Sequence, residues 1–409
     1  MVKCMASTLN TTGFQFLDTV KICGIHFGSN AVQCNEQLLE GKIDKAIAHY
    51  TECTSTLFSR VSIANTVLLA QLWYVLSVVN VSSPFLKRIN RKIFLFVWKS
   101  NEWLKRTESI NNLNDGGLGV LDIQSRISAF RIKEIIYFIL HSHCLESIVA
   151  QHWLALPLKK WFDTSDFILS PKRSRVNAYY KGSVSEFRDF HARWGHRPLD
   201  EATIKLIYAD RLGKRVTTPK IFLRELQPKG VDGNTLFTRL HGSLISNEVR
   251  DLWFRIIHQI LNTRLRLHNF RIINTMICPL CRYNVESEQH LFFDCPKISN
   301  VKTILDKLLT ISNVDIYTVN LGKIFEGVDA QYNSIVLGEF MYSVWLVRNA
   351  IVFRQETLQL QNIFFSRLKT RIRADKKRLL IDVFRSIWFN KPIIIANTSR
   401  GMQIDIPIT

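Results

Sequence analysis

Acidic residues are what this sequence has too few of. Its 34 Asp and Glu stand against 54 Lys and Arg, a formal net charge of +20 at pH 7 and a pI of about 9.7. An excess of this size is hard to explain by solubility alone. It points to a polyanion partner, most often nucleic acid, with an anionic membrane surface as the blander competitor. Disulfide spacing is absent among Cys4, Cys23, Cys34, Cys53 and Cys144, which fits a reducing compartment. The opening MVKCMASTLNTTGFQFLD lacks the apolar core of a signal peptide, so an intracellular protein of nucleus or cytoplasm is expected, not a secreted one. There is no internal repeat and no low-complexity tract. Apolar residues make up 47% and Phe alone numbers 26, enough to bury sizeable cores and to exclude a disordered chain.

Two further absences remove tempting readings. From Val61 to Leu86 no residue is charged, and Lys87-Arg88 follow, which imitates a membrane span. However, Asn65, Gln71, Asn80, Ser82 and Ser83 interrupt the stretch and Pro84 ends it, so a buried helix is expected and no membrane partner. The turn Asn114-Asp-Gly-Gly-Leu-Gly119 suggests a dinucleotide loop, but Asp122 stands where the third glycine belongs and no clear strand precedes it. That reading is rejected.

What is present is mostly helical periodicity. Val20-Lys-Ile-Cys-Gly-Ile-His-Phe27 alternates and stops at Gly28, predicting one strand. Helical patterns follow from Ala31 to Tyr50, over 61–76, and over 84–98, where Phe85, Ile89, Ile93, Phe94 and Val97 form a core stripe. The other side of that last helix carries Lys87, Arg88, Arg91 and Lys92. In 146–235, Lys172-Arg-Ser-Arg175, Tyr179-Tyr180 and His191-Ala-Arg-Trp-Gly-His-Arg197 interleave basic and aromatic residues; a nucleic-acid grip and solvated loops fit this pattern equally. Residues 247–260 place Val249, Leu252, Trp253, Ile256, Ile257 and Ile260 on one face, and this helix is expected to pack on the motif that follows it. Ile335, Leu337, Phe340, Met341, Val344 and Trp345 supply a later buried stripe. The run 367–378 holds seven basic residues and one acid, either a solvated face or a phosphate contact.

The sharpest local signal is CPLCRYNVESEQHLFFDC, or C-x2-C-x8-H-x4-C, which gives Cys278, Cys281, His290 and Cys295. Three thiolates and one imidazole at this spacing can close a tetrahedral shell around Zn²⁺. Pro279 turns the backbone between the first two cysteines, and Gln289–Cys295 reads as a helix start or tight turn that returns His290 and Cys295 to the knuckle. Buried thiols acting as small hydrophobes are the competing reading. With no open coordination position evident, the zinc is expected to be structural.

The chain resembles the C-terminal part of the reverse transcriptases of non-LTR (LINE-type) retrotransposons. Val20–Phe27 looks like the strand that closes the palm. Ala64–Tyr74, Phe85–Lys99 and Gly116–Ile123 are similar to the helical thumb and the segment after it. Arg264-Leu-Arg-Leu-His268 with the Cys/His set looks like the zinc-binding region, and the matching blocks span roughly 15–300. The resemblance implies a palm remnant at 1–30, a thumb-like domain at 31–145, a connecting region at 146–235, a zinc-binding domain at 236–300 and a helical region at 301–409. The expected fold class is therefore mainly α, a multi-domain helical protein with a small zinc knuckle module and few strands.

The family's palm holds two Mg²⁺ ions through aspartates, including a Tyr/Phe-x-Asp-Asp hairpin. Here the nearest match, Tyr208-Ala-Asp-Arg211, has Arg211 in place of the second aspartate and follows the thumb-like region, so it is expected to be a turn or helix end. No catalytic residues are assigned, and no polymerase activity is expected of this chain alone. Lys87, Arg88, Arg91, Lys92, Arg264, Arg266 and Arg271 are the candidate phosphate contacts. The resemblance implies RNA or an RNA–DNA hybrid as ligand. The rival readings are a zinc-stapled interaction or scaffold protein, and a partner of a separately encoded reverse transcriptase palm.

Overall fold

A computed structural model describes residues 18–52, 56–99, 101–154, 156–158, 160–162, 178–398 and 401–406. The 172–175 basic run and the Tyr179 side chain lie outside what it describes. Helices dominate, and the described strands form two two-stranded antiparallel sheets. The chain divides into two compact units, one of residues 1–54, 59–110 and 119–217, the other of 55–58, 111–118 and 218–409.

In the first unit the alternating stretch expected as a single strand is a hairpin. Thr19–Ile22 pairs with Ile25–Gly28, and Val20 faces Phe27 across the register. The cause is Cys23-Gly24 with φ of 48° and 84°, two consecutive left-handed residues as a tight hairpin turn demands. Alternation alone cannot reveal such a reversal. Asn35, fully buried on the Ala31–Thr51 helix, then ties the second strand down: it accepts from His26 N at 2.9 Å and donates to His26 O at 2.8 Å.

The Ser83–Trp98 helix begins where Ser82 accepts from Phe85 N at 3.2 Å and ends at left-handed Lys99. All five residues of its expected stripe are buried, each worth on the order of 2 kcal/mol. The uncharged stretch before it is helical as expected: Leu57–Ile63, a π-helical Ala64–Leu68 and Ala70–Leu76. Its polar interruption has a use. Asn65 donates to Gly119 O at 2.8 Å and accepts from Leu121 N at 2.9 Å, anchoring the chain just before Asp122. Asp122 caps the Ile123–Leu140 helix through Ser125 N (2.8 Å), a structural duty far from dinucleotide binding. A second apolar cluster joins that helix to Leu145–Leu154, Ala178–Trp194 and Ile204–Gly213 through Ile132, Ile136, Leu154, Phe187, Phe190 and Ile207.

The second unit is built around the Ala330–Arg354 helix, which packs against Asn247–Ile257, Ser299–Leu308, Leu360–Arg378 and Ile381–Trp388. Among the described residues it is the one helix long and apolar enough to cross a membrane, yet 67% of its apolar window is buried within the fold. Of its expected stripe, Ile335, Leu337, Phe340, Met341 and Val344 are buried, while Trp345 is half-buried. Gly338 permits the closest crossing, since a Cβ there would lie 2.4 Å from Val249 Cγ1. The amphipathic Asn247–Ile257 helix packs against this long helix. A terminal hairpin, Ile394–Thr398 with Gly401–Asp405, was also not expected from a region read as helical.

Candidate metal centre

The loop after the Arg264–Asn269 helix folds back on itself before the ligands are placed. Ile277 and Val285 form an isolated antiparallel bridge, Cys278 N donates to Asn284 O at 2.7 Å, and Glu286 N donates to Met276 O at 2.8 Å. Arg282, left-handed at φ 63°, lets its N–H return to Cys278 O at 2.9 Å and closes the knuckle. On the far side His290–Asp294 is a π-helical turn, with His290 N donating to Ser287 Oγ at 3.0 Å. A π turn closes over one residue more than an α turn, which suits ligands five positions apart.

The outcome is one cluster. Cys278, Cys281, His290 and Cys295 are all buried, and their donor atoms lie within 4.8 Å of one another. A tetrahedral Zn²⁺ with Zn–S near 2.3 Å requires sulfurs about 3.8 Å apart, so the four donors need only a small inward movement. The Cys281 Sγ to His290 Nε2 distance is already 3.4 Å. The Cys278 thiol is pulled down to about 5, chiefly because the Cys295 thiol donates to it, helped by the backbone N–H groups of Cys281 and Leu280. The same pairing pushes the Cys295 thiol up. A bound divalent cation relieves that competition by holding all the sulfurs as thiolates. Four protein donors fill the shell and leave no position for a substrate, the arrangement of a structural site.

Around this cluster lies a charge pair that sequence reasoning did not find. Glu286, between Cys281 and His290, is fully buried and takes two bonds from Arg348, Nε at 2.7 Å and Nη2 at 2.9 Å. Its Oε2 also accepts from Arg264 N at 2.6 Å. Arg348 sits on the long central helix and stacks over Trp345 at 4.9 Å. Nothing in local spacing joins residues 62 apart, so only the fold could show the link.

The candidate phosphate contacts fall into two classes. Arg264 donates Nη1 to Ile277 O at 3.1 Å, and Arg266 bonds the Gln259 carbonyl and lies over Phe270 at 5.0 Å, with burial drawing its guanidinium below the usual range. Both are half-buried and committed to the module; Arg271 is exposed. In the first unit, Arg88 pairs with Glu40 at 3.2 Å, and Lys92 pairs with Glu40 at 2.8 Å and Asp44 at 2.7 Å. Lys87 and Arg91 are exposed and carry no ion pair among the described residues. Lys87 also lines a cleft of about 430 Å³ with Arg106 and Arg215. Tyr208-Ala-Asp-Arg211 lies within the Ile204–Gly213 helix, where Asp210 is held by Arg193 at 2.6 Å and by Arg211 at 3.1 Å.

Residues 226–301 match the family described as zinc-binding in reverse transcriptase. That span contains all four converging donors and Glu286. The chain is also similar to the transposon TX1 uncharacterized 149 kDa protein of Xenopus laevis, with 25% identity over 137 residues. This match covers 31% of the chain and 10% of that protein's length. The likeness to a reverse transcriptase zinc-binding region thus rests on a family match as well as on the ligand spacing, and the chain has a transposon protein among its relatives.

Proposed function

We propose that this chain is a nucleic-acid-binding, zinc-stapled part of a retrotransposon reverse transcriptase. The observation that carries the reading is that the four converging donors fall inside the span matched by the reverse transcriptase zinc-binding family. The net charge of +20 supports a polyanion ligand, and RNA or an RNA–DNA hybrid is the form the relationship suggests. Within this reading, zinc holds the module and cations outside the metal site hold phosphates. Lys87, Arg91 and Arg271 are the accessible contacts; Arg88 and Lys92 contribute less because Glu40 and Asp44 already neutralise them.

The chain's own share is binding, not nucleotidyl transfer, and a palm supplied elsewhere is its natural partner. This is supported by Asp210, which is engaged by two arginines within a helix and cannot serve as a metal-holding hairpin aspartate. Filter binding of RNA across a salt series tests the proposal, since phosphate contacts make log affinity fall linearly with log salt. No measurable affinity at ~50 mM salt with the fold intact sinks it and leaves the interaction-protein reading. Primer extension on a poly-A template with Mg²⁺ or Mn²⁺ should show background only; extension abolished by Asp210→Ala would overturn the division of labour.

A further inference from the structure

A cleft of about 660 Å³ opens in the second unit between the start of the Asn247–Ile257 helix and one face of the Leu360–Arg378 helix. Four arginines line it: Arg250 from the first helix and Arg367, Arg371 and Arg378 from the second. Three are pinned. Arg250 donates to Asn247 Oδ1 at 3.0 Å and to the Ser243 carbonyl at 3.0 Å. Arg371 holds Asp375 at 2.9 Å and also bonds the Leu244 carbonyl. Arg367 holds Glu339 at 2.8 Å and lies over the Tyr342 ring at 4.5 Å. Guanidinium groups fixed in this way present their remaining N–H edges without further loss of side-chain freedom.

Donors remain after these anchors. Arg250 Nε is buried with no hydrogen-bond partner, and Arg378 is exposed with no ion pair among the described residues. The N-cap Ser246 accepts from Val249 N, which leaves the N–H groups of Asn247 and Glu248 at the cleft without an intrahelical acceptor. Of the acids here, Glu339 and Asp375 are buried and already paired, and Glu248 is half-buried. The arginines also oppose one another: burial and the Arg371 charge draw Arg250 below its ordinary range. An anion would relieve both. Beyond the cleft the same helix carries exposed Arg373, Lys376 and Lys377, a continuing track that suits a repeating polyanion better than a single small ion.

We infer that this cleft takes a backbone phosphate of the bound nucleic acid, making the region after the zinc module a second contact surface. The inference rests on the nucleic-acid reading above. Arg367 and Arg371 are poor probes, because replacing them strands buried carboxylates. Arg378→Gln with Thr370→Asp changes two exposed positions at the cleft and lowers its charge by two. A matched control makes the same change on the exposed face of the Ser299–Leu308 helix, with Lys307→Gln and Thr303→Asp. Filter binding of single-stranded RNA to the full chain, with circular dichroism and thermal melting beside it, should show the cleft variant losing about 0.7 units of salt slope and roughly fivefold to tenfold in affinity near 0.1 M salt. The control should lose far less. Equal behaviour of cleft variant and control overturns this inference and leaves RNA binding standing. Absence of binding by the unmodified chain overturns the nucleic-acid reading itself, and this inference with it.

Discussion

The zinc module and the Ser83–Trp98 helix are both rich in basic residues and use them in opposite ways. In the module Arg264 and Arg266 turn inward to bond backbone carbonyls, and Arg348 reaches in from the central helix to a carboxylate with no solvent exposure, while Arg271 stays exposed. On the helix, Phe85, Ile89, Ile93, Phe94 and Val97 already supply a core, so the cations are left at the surface, paired with a neighbouring helix at Arg88 and Lys92 and open at Lys87 and Arg91. A short loop cannot bury enough apolar surface to fix itself. It relies on metal coordination and on buried hydrogen-bonded charge instead. Whether an arginine is a ligand contact or a cross-link therefore depends on how much apolar core its own segment brings.

The largest expected effect breaks the module side of this contrast. One zinc per chain should be found by metal analysis, and Cys278→Ser with Cys281→Ser should abolish it, with a local folding loss on the order of 10 kcal/mol. A stoichiometry that stays near one in this double variant would refute the assignment. Next in size is the Glu286–Arg348 pair, at 0% and 3% side-chain exposure. Removing one partner, as in Arg348→Met, should cost about 3–5 kcal/mol in denaturant unfolding, because Glu286 is left charged and buried. Adding Glu286→Gln should recover a good part of that loss. Additive losses would mean that the two residues act independently and that the cross-link is not what binds the module to the central helix.

The convergence of Cys278, Cys281, His290 and Cys295 was legible because metal chemistry fixes residue type and spacing within 18 residues, and helix faces were legible because burial imposes a 3.6-residue period. Three features were not. The Cys23-Gly24 reversal is invisible to alternation, since both strands keep the same period through the turn. The roles of Arg264 and Arg266 depend on carbonyls that only the folded loop presents. Glu286 carries no local signal, because its partner Arg348 lies 62 residues away in the sequence. The same holds for the Leu360–Arg378 helix, whose buried Leu360, Phe364, Leu368 and Ile372 mark one face while its basic run left the other undecided.

A middle-sized effect concerns pH. His258 sits among Phe254 and Phe237, with ring centroids 4.4 and 5.1 Å away, and burial draws it down to about 3; burial and the Arg250 charge draw His241 to about 4. Both folded values lie below the unfolded value near 6.5, so the unfolded chain takes up protons first as pH falls. The stability that depends on neutral histidine is complete above about pH 6.5 and is lost on acidification toward pH 3–4. The loss should approach about 1.4 kcal/mol per pH unit for each histidine. Zinc release also occurs in acid, so the comparison must be made between unmodified protein and His258→Gln. The variant should be less stable at pH 7 yet lose less stability between pH 7 and pH 5. Parallel curves would show that His258 is not a source of the acid sensitivity.

The smallest effect tests the helix side, by dividing its four cations into two pairs. Lys87 and Arg91 are exposed and unpaired among the described residues, whereas Arg88 and Lys92 are bound to Glu40 and Asp44, and the Lys92 ammonium holds the Glu40 carboxyl below its usual range. If the helix contacts phosphate, a cation without a local acid displaces a condensed counterion on binding, but one already neutralised gains little. Lys87→Gln with Arg91→Gln should flatten the RNA salt slope by roughly one to two units and leave thermal stability unchanged. Arg88→Gln with Lys92→Gln should do the reverse: the slope changes by less than about one unit, while stability falls by no more than about 1 kcal/mol, as surface pairs allow. Equal slope changes from the two pairs would show that Glu40 and Asp44 release their partners when nucleic acid binds. No change from either would move the contact surface off this helix altogether.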